Sequence, residues 1–136
     1  MKRRILLAYQ LLTGLSDGST GVLLIFAPAV ALRLMHLHVS PGALPFLSYI
    51  GAFVLSVGVA CFYGAFLVTR ADFAPKLEVV WLLTAITRGL VAVFVISKIV
   101  SGALEAGWMT VAVSDGALAL LQAIGLSQGW LADATQ

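Results

Sequence analysis

Three ionisable side chains, Asp17, Arg88 and Asp115, stand inside long apolar runs of this sequence. An unpaired charge in the middle of a membrane costs at least about 2.5–3.5 kcal/mol, so such residues need partners. Arg88 can bridge one carboxylate or two through its forked donors. Two carboxylates against one guanidinium leave a surplus negative charge unless one carboxyl is protonated. Burial favours the protonated carboxyl and a neighbouring Arg the charged one. A shared proton or a bound cation could therefore be loaded and released. The same three residues allow a purely structural use, in which the charges fix how the helices register.

Each charge is accompanied by polar residues at helical spacing. Tyr9, Thr13, Asp17 and Thr20 follow one another in the first apolar run. Thr84 lies one turn before Arg88, and Thr110, Ser114 and Gln122 accompany Asp115. The expected supporting set is thus Thr13, Thr84, Ser114 and Gln122. No other chemistry is recognisable: there is no G-x-S-x-G elbow, P-loop, H-E-x-x-H or C-x-x-C pattern. No catalytic residue, metal ligand or cofactor is assigned. A membrane enzyme would have only Tyr49 and Tyr63 to add to the three charges. His36 and His38, at i and i+2, do not share a helix face and have no acidic partner or third His nearby. They read as interfacial imidazoles rather than as a ligand pair, and haem b would need two His on facing helices. Cys61 is the only cysteine and reads as a small packing residue.

The elements that must position these groups follow from composition. Of 136 residues, 61% are hydrophobic and 10% charged, with a mean hydropathy of +1.06. Soluble domains average about 25% charged residues, so the surface expected here faces lipid. A net charge of +2 with no basic face excludes nucleic acid as a partner. A bilayer core of about 30 Å needs roughly 20 apolar helical residues. Four segments qualify: 5–27, 45–68, 77–100 and 107–126. The runs lack the period-two alternation of a barrel. The fold class is therefore all-α, a single four-helix transmembrane bundle over residues 1–136. "MKRRILLAYQLLTGL" begins like a signal peptide, but early polar residues and the lack of an A-x-A site mark it as a retained first helix.

Lys2, Arg3, Arg4, Arg70 and Lys76 fall on one side of these spans, and only Arg33 and Lys98 on the other. The excess of basic residues places both termini in the cytoplasm of a bacterial inner membrane or its equivalent. Trp81, Trp108 and Trp130 fall near expected span ends, where indoles favour the headgroup layer. After Pro28, residues 29–37 read as a short amphipathic turn on the outer surface, with Arg33 towards headgroups. At 1.5 Å of rise per residue, Asp17 lies about 18 Å from Ile5 and Arg88 about 16 Å from Leu77. Asp115 lies about 18 Å from the inner edge of a 30 Å core. All three reach one depth, so Asp17 is expected to meet Arg88 and, through it, Asp115.

Helices in lipid associate through close packing and polar contacts. Ala52, Ser56, Ala60 and Gly64 form a small-residue stripe at four-residue spacing, and Gly14 and Gly18 repeat that spacing in the first span. "SDG" occurs in both the first and the fourth span, a three-residue repeat too short to define symmetry.

"GLSDGSTGVLLIFAP" closing the first span, "YIGAFVLSVGVACFYGAFL" as the second, and "TAITRGLVAVFV" with Arg88 in the third resemble the small four-helix membrane proteins grouped as DoxX-like. The resemblance covers most of the chain and implies the four-helix fold. It also implies a membrane subunit linked to a redox or energy-converting complex. The function expected from these readings is a non-catalytic accessory subunit, with the lipid bilayer and other membrane subunits, or itself, as partners. Two alternatives stand beside it: a small proton-coupled transporter using Asp17, by analogy with small multidrug exporters, and a quinone- or pigment-contacting subunit.

Overall fold

The computed structural model describes residues 2–134, and all regular structure among them is helical. Six α-helices follow one another: α1 Lys2–Phe26, α2 Pro28–Leu34, α3 Leu44–Val68, α4 Phe73–Val100, α5 Met109–Ser127 and α6 Trp130–Asp133. Short 3-10 turns at Pro41–Ala43 and Ala106–Trp108 lead into α3 and α5. Among the described residues three helical stretches are long and apolar enough to cross a membrane: Pro41–Val68, Phe73–Val100 and Ala106–Ser127. The described residues thus form helices as their only regular structure, with three candidate spans among them. The first expected span does form a helix of 25 residues, yet it is not one of the three. Tyr9, Gln10, Thr13, Ser16, Asp17, Ser19 and Thr20 crowd its middle and dilute its apolar character.

The expected boundaries hold at α3 and shift elsewhere. α4 begins at Phe73, one turn ahead of the expected Leu77, with Pro75 inside its first turn. Proline is tolerated there because the first N–H groups of a helix have no intrahelical acceptor. α4 ends in a Schellman turn: Ala103 N–H donates to Lys98 C=O at 2.9 Å and Gly102 N–H to Ile99 C=O at 3.0 Å. Gly102 takes a φ of +73°, a conformation open to glycine at no steric cost.

The described residues divide into two compact units, one up to Thr69 and one from Arg70 onward. In the first, α1 and α3 form an antiparallel hairpin with α2 against both. Its seam runs through Leu6, Gln10, Thr13, Gly14, Gly18, Gly21 and Leu24 of α1, at the three- and four-residue steps of a helix face. α3 answers with Leu47, Gly51, Gly58, Cys61, Ala65 and Val68. Backbones come very close here. A Cβ added to Gly58 would lie 2.6 Å from the Gly18 nitrogen, and one added to Gly21 would lie 2.5 Å from the Leu55 nitrogen. At the other end of the seam, Arg3 Nε donates to Val68 C=O at 2.7 Å. This sets a cation against the negative end of the α3 dipole and brings the start of α1 beside the end of α3.

In the second unit α4 and α5 form the hairpin, with α6 against both. α4 buries Leu77, Trp81, Thr84, Arg88, Ala92 and Val95, again one face of a helix. Trp81 is not the headgroup anchor expected from the sequence: it lies two turns inside α4, fully buried. Gly125 of α5 makes room for it, since a Cβ there would lie 2.6 Å from the indole Cζ3. Trp130 is more exposed and follows the end of α5, where its Nε1 donates to Gln128 Oε1 at 2.9 Å.

Candidate functional site

The polar groups of the second unit form a ladder between α4 and α5. Arg88 Nη1 donates to Asp115 Oδ1 at 2.7 Å, with the Arg side chain 4% and the Asp side chain 20% exposed. Two turns along α5, Gln122 Nε2 donates to Thr84 Oγ1 at 2.9 Å. Thr84 passes its own proton into its helix, to Val80 C=O at 2.8 Å, leaving a lone pair for the Gln122 amide. This order of donors fixes the amide orientation, and Gln122 Oε1 is buried with no hydrogen-bond partner. The geometry follows from spacing. Thr84 and Arg88 are one turn apart on α4, and Asp115 and Gln122 are two turns apart on α5, so each pair shares a face. Small residues beside and beyond Arg88 let the helices approach, with Gly89 beside Ala119 and Gly116 beside Ala92.

Of the expected site residues, the structure therefore brings Thr84, Arg88, Asp115 and Gln122 together. Ser114 is exposed instead, and its Oγ donates to Val111 C=O of its own helix at 3.1 Å. One residue before Asp115, it is rotated by about 100° on the helix and leaves the seam. Thr110 is likewise turned back onto Gly107 C=O.

In the first unit, Thr13 is buried and donates to Tyr9 C=O at 2.8 Å. Asp17 is half-buried one turn further on; it belongs to the first unit, and Arg88 and Asp115 to the second. Gly14 and Gly18 lie on the seam as expected, Gly14 under the Phe62 ring. The small-residue stripe of α3 does not coincide with that seam. Gly64 is on it, packed against the Gln10 amide, but Ala60 is at its margin and Ala52 and Ser56 are exposed. The close approach is made by Gly51 and Gly58, which the four-residue spacing passes over. Gln10 was not expected in the site either, although it stands seven residues before Asp17 and is fully buried.

An open apolar groove of about 310 Å³ runs beside Leu15, Gly18, Val22, Leu55 and Phe62. Its one hydroxyl, on Ser19, is bonded to Ser16 C=O. His36 and His38 are exposed. Among the described residues no three His, Cys, Asp or Glu side chains stand together as metal ligands. No known protein family, curated protein or solved structure matches the chain.

Proposed function

We propose that the chain is a non-catalytic integral membrane subunit, built into a larger membrane assembly through its apolar helix faces. The observation that carries this reading is the use to which Arg88 is put. The buried guanidinium is bonded to Asp115 in a contact that ties two long apolar helices together. Thr84 and Gln122 do the same one rung away. Outward, α3, α4 and α5 present large apolar side chains such as Phe53, Val93 and Leu120, suited to lipid or to the helices of a partner. In this reading α1 is the fourth span, tolerated in the membrane because its Gln10 and Thr13 side chains are buried on the seam. Both termini are cytoplasmic. The meeting of Arg3 with the end of α3 supports gathering the basic N-terminal residues at one membrane face. Kinship with DoxX-like subunits of redox or energy-converting complexes rests on the sequence motifs.

A second reading is favoured by α1 itself. Its polar middle around a half-buried Asp17 is the feature a small proton-coupled transporter would need. Isolation of the tagged chain from its native membranes in mild detergent separates the two, through the chains that accompany it.

A further inference from the structure

The segment between α1 and α3 holds one formally charged residue, Arg33, and no Asp or Glu occurs from Gly18 to Ala71. The one acidic residue of the first unit, Asp17, lies about 14 Å before the end of α1 by helical rise. Arg33 is exposed, and its Nε donates to Ala29 C=O of its own helix at 3.4 Å.

The same end of the unit exposes large apolar side chains: Phe26 at 81%, Leu34 at 68% and Phe46 at 70%. The opposite side of α2 is anchored, with Ala31 and Leu32 buried. A Schellman turn then holds the segment down. Leu37 N–H donates to Leu32 C=O at 2.9 Å and His36 N–H to Arg33 C=O at 3.2 Å, and the Leu37 side chain is buried. His36 occupies the left-handed position of this turn at a φ of 54°, where a non-glycine residue is strained. Directly afterwards begins the candidate span Pro41–Val68.

We propose that residues 28–38 form a headgroup-layer element that binds an anionic phospholipid through Arg33. Phe26, Leu34 and Phe46 enter the acyl boundary, as the apolar side of an interfacial helix does. The Arg33 stem lies along them while its fork takes a phosphate, for which guanidinium geometry is suited. Preference for an anionic over a zwitterionic lipid follows from the positive charge of Arg33 in a segment without carboxylates. The proposal rests on the membrane reading given above.

The test uses the full chain reconstituted in nanodiscs of equal phosphatidylcholine and phosphatidylglycerol. Spin labels are placed at Leu34→Cys or Phe53→Cys in a Cys61→Ala background. Both labels are expected to be more accessible to oxygen than to a water-soluble nickel chelate. Native mass spectrometry of the released protein is expected to show retained phosphatidylglycerol in excess, with one fewer per chain in Arg33→Gln. A Leu34 label that favours nickel while the Phe53 label favours oxygen overturns the proposal and leaves the membrane reading intact. If both favour nickel, the membrane reading itself fails. Unchanged lipid retention in Arg33→Gln, or displacement of the lipid by inorganic phosphate alone, also overturns the proposal.

Discussion

Arg88 and Asp115 are 27 residues apart in the chain and 2.7 Å apart in space. Removing one partner of a buried ion pair strands the other charge, at a cost of about 3–5 kcal/mol. Asp115→Asn should therefore destabilise the α4–α5 hairpin by an amount of that order. Arg88→Leu combined with Asp115→Leu should recover most of the loss, because neither charge of the pair is then left buried without the other. Denaturant titration in detergent, followed through the fluorescence of the neighbouring Trp81, measures both. An Asp115→Asn variant as stable as the wild type would show that the pair holds nothing together.

The α1–α3 seam makes a steric prediction. The position of a Cβ on Gly58, 2.6 Å from the Gly18 nitrogen, meets backbone that cannot swing aside. Gly58→Ala should cost about 1–3 kcal/mol, the usual range for overpacking. Gly42→Ala, with nothing within 4 Å of the new methyl, should be close to neutral. Thermal unfolding of the two variants in the same detergent distinguishes them.

Thr84 and Gln122 should respond unequally. Thr84→Val takes away the acceptor of the buried Gln122 amide, and an unsatisfied buried group costs about 1–3 kcal/mol. Gln122→Leu leaves Thr84 still bonded to Val80 C=O and removes an amide oxygen that has no hydrogen-bond partner. That change should cost less than about 1 kcal/mol. A larger loss in Gln122→Leu than in Thr84→Val would contradict the donor order described above.

Outside the candidate spans, Asp72 titrates in a predictable direction. Its carboxylate accepts a hydrogen bond from Lys76 Nζ at 2.7 Å. That bond, with a backbone hydrogen bond and the ammonium charge, holds its pKa below the ordinary 3.8. The folded-state pKa is depressed, so the stabilisation is present above 3.8 and lost as pH falls through the lower folded value. Lys76→Ala should bring the pKa back towards 3.8, as followed by the carboxyl chemical shift.

Charge is so rare within the apolar runs that Asp17, Arg88 and Asp115 stand out by type alone, and of the contacts expected among them the one between Arg88 and Asp115 is formed at 2.7 Å. Their matching depth then follows from counting residues. Spacing also recovers Thr84 and Gln122, each on the face of the charge beside it, and the same rule explains why Ser114 drops out. The packing face of α3 was harder to read. A four-residue repeat drifts by about 40° per step around a helix. Ala52, Ser56, Ala60 and Gly64 therefore wind across the surface, while Gly51, Gly58 and Ala65 stay on the seam at seven-residue steps. Trp81 misled for a different reason. An indole near a presumed span end suits the headgroup layer, and only the gap at Gly125 shows that it turns inward. The expected span starts at Leu77, beyond Pro75, whereas a proline is accommodated in the first turn and α4 begins at Phe73.

The most direct measurement is the mass and chain composition of the tagged protein extracted from its native membranes in mild detergent. The accessory-subunit account predicts stoichiometric partner chains that stay bound through purification. Recovery of the chain alone, as a monomer or homodimer with no other protein, would contradict it and make Asp17 the residue to titrate next.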